Sequence, residues 1–261
     1  MSTHDTLIIR SGDQLLQPTT RRRFLGLLGV AGSVVFLPSV FTACSDDDNI
    51  TDPNNPASYT LNLSNDTGIL NYAYALEQLE AAFYTAAITS AGFAALSAAE
   101  QEVLADLQKH EVIHREFFKA VLGANAIPSL SFNTTTVGNL TANATVLLST
   151  SQLLEDTGVS AYNGAGKYLT SAANLLVAGK IVSVEARHAA AIRDIRDARG
   201  GNTGRLFAGD DVVSASGLDV KAEPGTVLAS VVSLNVVTSP LSIGTGPTGT
   251  ATADVKAPTP A

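Results

Sequence analysis

The chain has 261 residues, 45% hydrophobic and 15% charged, which is enough for one or two domains with a buried core and too apolar for a wholly disordered chain. Its net charge of −8 argues against a partner as acidic as nucleic acid. A single Cys excludes an internal disulfide and any Cys-rich zinc or iron–sulfur site.

Residues 1–43 read as an export signal. Arg21, Arg22 and Arg23 precede Phe24 and Leu25, and an apolar run rich in Gly and Ala follows over 26–43. A charged segment, an apolar segment and small residues before a cut form the layout of a secretory signal. The Arg pair ahead of Phe-Leu resembles the twin-arginine export signal of bacteria. Gly26, Gly29, Gly32 and Pro38 weaken the run as a permanent membrane helix. Cys44, behind Thr42 and Ala43, stands where a lipoprotein signal places its lipidated residue; the alternative is a free thiol after ordinary cleavage. Residues 44–65 are expected to be a polar tether, with acidic residues 46–48 followed by Pro53, Asn54, Asn55 and Pro56. The expected location is the bacterial cell envelope, periplasmic or held to a membrane by a lipid anchor.

Four helical runs come next. The first extends from a cap at Asp66 or Thr67 to about residue 91. The second opens with Ser97 and Glu100, a capping-box pair, and stops near Gly123. The third covers about 141–166, and the fourth about 171–199, ahead of Gly200 and Gly201. Ala, Leu, Glu and Gln dominate, as helix propensity prefers.

Taken in alternating steps of three and four, each run carries one apolar stripe. The stripes are Leu70, Ala73, Glu77, Glu80, Tyr84; Leu104, Leu107, Glu111, His114, Phe118, Val121; Leu148, Gln152, Glu155, Val159, Tyr162; and Ile181, Glu185, His188, Ile192, Ile195. Each is interrupted in its middle by Glu, and twice a His follows three residues later, on the same helix face. Burying an unpartnered carboxylate costs several kcal/mol, so four such helices point to a shared cation. The order Glu-x6-Tyr then Glu-x2-His occurs twice, which makes the chain two helical hairpins with an internal repeat. Four Glu and two His give six ligands, a set suited to two metal ions in a bundle core. The third and fourth runs are joined by a few residues and are antiparallel neighbours. The 18 residues from 123 to 140, at roughly 3.3 Å each, cover nearly 60 Å. That is longer than a helix of about 26 residues, roughly 39 Å, so a crossover along the whole bundle is possible.

Three segments carry a family likeness: residues 71–84 (NYAYALEQLEAAFY), 154–162 (LEDTGVSAY) and 184–188 (VEARH). They resemble the ferritin-like domain of bacterial desiccation-related proteins over roughly half of the chain. The resemblance implies an all-α, ferritin-like four-helix bundle over 66–200, with two antiparallel hairpins and a long crossover. It also implies a dinuclear iron or manganese site. The candidate ligands are Glu77, Glu111, His114, Glu155, Glu185 and His188, with O2 or peroxide as the partner of the ions. The Tyr84 register favours Glu77 over Glu80, which then stands beside the ligands or replaces Glu77. Tyr84 and Tyr162 either bond the carboxylates or pack plainly.

Other readings of the same residues stand beside this one. His110, Glu111 and His114 spell HExxH, the helix of zinc metalloproteases, but the fourth run repeats only Glu-x-x-His, with Val184 in the place of His110. That leaves His110 on a neighbouring face, at the surface or behind the ligands as a supporting or alternative ligand. The six residues can also form a metal-free polar network, or a vestigial metal site in an envelope stress-related binding module. Arg187 and the run Arg193, Asp194, Arg196, Asp197, Arg199 are expected to form a solvated, ion-paired face. Beyond the bundle, residues 201–239 are expected to pack on it as an extension with one short helix from Pro224 to about 235. Residues 240–261 are expected to be a disordered tail.

Overall fold

The computed structural model describes residues 59–200 and 206–246. The expected export signal, Cys44 and most of the expected tether and tail lie outside the described residues. Four long helices carry the fold: α1 (Asp66–Ala87), α3 (Ala98–Leu122), α5 (Ala144–Ala165) and α6 (Ala172–Arg199). Shorter helices are α2 (Ala91–Ala94) and α4 (Thr134–Leu140) between them and α7 (Pro224–Ser233) after them, and two strands, β1 (Tyr59–Asn62) and β2 (Leu241–Thr245), flank the set. No helix among the described residues is long and apolar enough to cross a membrane.

Local chemistry sets the helix ends. Ser97 and Glu100 form a reciprocal capping box at α3, and Ser171 caps α6. Gly123, at φ 52°, ends α3 in the left-handed region where a side chain would be strained. Three ends differ from the sequence reading. The cap of α1 is Asn65, whose side chain accepts from the Gly68 N–H at 2.9 Å, because Asp66 is engaged elsewhere. Helix α1 stops at Ala87, and Ser90 caps the separate α2. Helix α5 starts at Ala144 because Asn143 supplies its cap.

Helix α1 packs along α3, and α5 along α6. The connection between the hairpins climbs α1 from end to end. Asn71 bonds the Asn125 carbonyl and the Ile127 N–H at 2.8 and 2.7 Å. Gln78 accepts from the Leu130 N–H at 2.7 Å. Near the far end, Gly92 N–H donates to the Thr141 carbonyl at 3.1 Å. The long crossover therefore exists, with α4 folded inside a stretch expected to be extended. Leu76, Leu79, Phe83, Leu104, Leu107, Leu147, Leu148 and Ile192 fill the interior between the helices, each worth about 1.5–3 kcal/mol on burial. At the end of the α3 stripe Val121 is exposed and Leu122 is buried instead, because a 3.5-residue pattern drifts on a 3.6-residue helix.

Helix α7 of the extension packs on α5, with Val227, Leu228 and Val231 buried. Three expectations are corrected here. The stretch assigned to the tether contains β1, and Leu61 and Leu63 are buried. The stretch assigned to a disordered tail contains β2, which pairs with β1 in parallel, Tyr59 opposite Leu241 and Leu61 opposite Ile243. Arg193 is not on a solvated face: it is 1% exposed and bonds Asp156, Asp211 and the Leu206 carbonyl.

Candidate metal centre

The middles of α1, α3, α5 and α6 meet at one buried point. Glu77, Glu111, Glu155 and Glu185 are fully buried there, with His188 buried and His114 nearly so. Within 4.8 Å limits the ligand atoms fall into two groups: Glu77, Glu111, His114 and Glu185, and then Glu111, Glu155, Glu185 and His188. Glu111 and Glu185 belong to both.

The two shared carboxylates divide their oxygens. His114 Nδ1 lies 2.8 Å from Glu185 Oε1, 3.4 Å from Glu77 Oε2 and 3.5 Å from Glu111 Oε2. His188 Nδ1 lies 2.9 Å from Glu111 Oε1, 3.3 Å from Glu155 Oε2 and 3.5 Å from Glu185 Oε2. Each imidazole thus has one private carboxylate, Glu77 or Glu155, and one oxygen from each shared one.

The donor set fits a pair of cations. Both oxygens of Glu111, Glu155 and Glu185, Glu77 Oε2 and both Nδ1 atoms are buried without a well-formed hydrogen bond, a costly arrangement if nothing else fills it. An octahedral ion with bonds of about 2.1 Å sets neighbouring ligands about 3.0 Å apart, close to the separations found here. Hard oxygens with two imidazoles suit iron or manganese better than copper(I).

Electrostatics lead the same way. Burial lifts the Glu77 carboxyl to about 8, with Glu185 and Glu111 adding to the rise and His114 opposing it. Burial likewise pushes Glu80 and Glu155 well up. Glu185 is also buried, yet the two imidazoles facing it hold it down to about 2. Burial opposes the charged form of both His, but the surrounding carboxylates raise each to about 12. Without metal, both imidazoles stay protonated while Glu77, Glu80 and Glu155 are shifted towards the neutral form; a metal bound there would displace the Nδ1 protons, so binding would release protons.

The tyrosines follow the repeat. Since α1 and α5 run in opposite directions, a seven-residue step of about 10.5 Å on each helix brings each Tyr level with the other helix's Glu. Tyr162 donates to Glu77 Oε1. Tyr84, fully buried, makes no well-formed hydrogen bond among the described residues, and its hydroxyl faces Glu155 and Ser151. Glu80 is buried beside the cluster but belongs to neither group. It leans towards Gly158, a residue the sequence reading missed; the signal was there, since Gly158 follows Glu155 by three as Glu80 follows Glu77.

The HExxH arrangement does not form. His110 and His114 share no ligand group. His110 Nδ1 instead meets His188 Nε2 at 2.9 Å, on the side of that ring away from the carboxylates, and Glu111 turns inward with the other acids.

Residues 65–198, just over half of the chain, match the family model described as a ferritin-like domain. No curated protein matches the sequence. The helical bundle, the end-to-end crossover and the matched span agree, and the chain belongs to the ferritin-like domain family.

Proposed function

We propose that this chain is an exported ferritin-like protein holding two iron or manganese ions, and that it oxidises metal or removes peroxide or O2 as part of stress protection in the cell envelope. The observation that carries the reading is the division of the Glu111 and Glu185 oxygens between two His-centred groups. A metal-free polar network would give each carboxylate oxygen its own well-formed donor; here two Nδ1 atoms face six oxygens of four carboxylates, and none of these contacts is a well-formed hydrogen bond. When bound, two such ions supply the electrons that reduce peroxide to two waters, or O2 to peroxide, with two protons taken up in either case.

The chain's own residues hold and shield the centre. Glu77 and Glu155 each complete one group, and Glu111 and Glu185 span both. Tyr162 fixes one Glu77 oxygen and leaves the other free for an ion. Burial of all four acids excludes bulk water. The N-terminal arginines and apolar run support export, Cys44 supports a lipid anchor, and the likeness to desiccation-related proteins supports a protective role.

Metal analysis after iron and manganese supplementation tests the site: about two transition-metal ions per chain are expected, and fewer than one counts against it. Anaerobic loading with iron, followed optically and by Mössbauer spectroscopy as O2 or peroxide is added, tests the chemistry. A Glu111→Ala/Glu185→Ala variant should lose both. If it keeps full stability and the wild type shows no oxidation, a binding module with a vestigial site is the better reading.

A further inference from the structure

The two halves of the site differ in what lies behind their imidazoles. His188 Nε2 is 2.9 Å from His110 Nδ1. The ring planes are within 8° of parallel and their centres are 5.1 Å apart. With that nitrogen separation, the rings meet edge to edge, as an in-plane N–H···N bond requires. For His188 Nδ1 to face the carboxylates bare, its proton must sit on Nε2 and be donated to His110. His110 is exposed at the surface, so its own Nε2–H is free to face water.

The repeat has no counterpart. The position before Glu185 is Val184, where the position before Glu111 is His110. No described residue hydrogen-bonds the other nitrogen of His114, and that side chain is 12% exposed against 4% for His188. An outer partner fixes the tautomer and orientation of a ligating imidazole, and its removal typically costs 10–100-fold in metal affinity.

We infer that His110 is a positioning residue that holds His188 with Nδ1 aimed into the cluster, and that it makes the two metal positions unequal, the one at His188 and Glu155 being tighter than the one at His114 and Glu77. The inference rests on the metal-centre reading above.

The test is a Co(II) titration of the metal-free protein against a chelator, followed by the visible absorption of the bound ion. The wild type should fill in two distinguishable steps. His110→Ala should weaken the tighter step by about 10–100-fold and leave the other within a few-fold, with the melting profile of the metal-free protein unchanged. His110→Gln, which keeps an acceptor, should recover most of the loss. In a His114→Ala background the His110→Ala effect should persist, and in a His188→Ala background it should vanish. Two wild-type steps with His110→Ala unchanged, or with both steps weakened alike, overturn the inference and leave the metal reading in place. A wild type that binds less than one Co(II) overturns both.

Discussion

Glu80 Oε1 stands 3.1 Å from the point a Cβ on Gly158 would occupy, and Glu185 Oε2 stands 3.8 Å from it. Glu80 and Gly158 hold equivalent places in the repeat, three residues after Glu77 and Glu155. One half of the site carries a fifth carboxyl group, and the other half carries the space that receives it.

That pairing predicts a coupling. Ala in a helix interior is more stable than Gly by about 0.5–1 kcal/mol, but at 158 it crowds a buried carboxyl. Gly158→Ala should therefore be neutral or cost about 1 kcal/mol in the wild type. In a Glu80→Ala background it should stabilise by about 0.5–1 kcal/mol. Urea unfolding of the four metal-free proteins checks it; strictly additive effects would mean the contact has no energetic weight.

Glu155 gives a test that separates a metal centre from a structural network. Both of its oxygens are buried without hydrogen bonds, and three other acids surround the same point. Glu155→Gln keeps the shape and removes an acid whose ionised form burial opposes. The metal-free protein should gain about 1 kcal/mol or more, since buried like charges are costly. The stabilisation brought by Mn(II) or Co(II) should shrink, from about 2.7 kcal/mol at a hundredfold excess over Kd. If the acids serve only each other, the amide should weaken the metal-free fold and metal should change neither protein. Thermal unfolding with and without metal reads both signs.

What was legible in the sequence was whatever local chemistry or the repeat could express. The α3 capping box is a short-range pattern, and it sets that helix start as expected. The convergence of six side chains was legible because an acid in the middle of an apolar stripe is costly, and because the pattern occurs twice. Parallel pairing of β1 with β2 was not. It joins Thr60 to Ser242, 182 residues apart, in strands of four and five residues, too short for an alternation to stand out. Arg193 was misread for a related reason: it sits in a run of charges on a helix, and its partner Asp211 arrives from the extension. His110 was placed on a neighbouring face, but its bond to His188 depends on how α3 and α6 align.

Arg193 is one of the links between that extension and the bundle. Its guanidinium bonds Asp156 at 2.8 and 2.7 Å and Asp211 at 3.2 and 2.7 Å. Burial opposes its charge, yet these two acids hold it firmly protonated. Asp156 directly follows Glu155, so losing the cation would leave another acid unpaired beside the cluster. Arg193→Met should cost about 3–5 kcal/mol, as removal of one partner from a buried ion pair does. Asp211→Asn, on the more exposed side of the network, should cost no more than about 1 kcal/mol. Urea unfolding ranks the two; near-equal losses would show that the Asp156 side is not the one that matters.

Asp66 locks the start of α1 to the start of α6, and it predicts how the fold responds to acid. Its carboxylate accepts from the Thr170 N–H at 2.8 Å, the Thr170 hydroxyl at 2.7 Å, the Ser171 N–H at 3.0 Å and the Asn174 amide at 2.8 Å. The Thr170 N–H lowers its pKa most; burial opposes this, and the other donors add to the lowering, so the group lies well below the usual aspartate range. A carboxyl with a depressed folded pKa adds stability above its unfolded value, about 3.9, and loses it as pH falls through the folded one. Asp66→Asn removes the charge from two helix N-termini and turns an amide donor towards N–H groups. Because the site is solvent-screened, the cost at pH 7 should be about 1–2 kcal/mol. The gap from wild type should hold at pH 5 and narrow only below the ordinary aspartate range. Urea unfolding of both metal-free proteins at pH 7, 5 and 3 measures it. A gap that closes between pH 7 and 5 would assign the effect to another group, because this carboxylate is fully ionised over that interval.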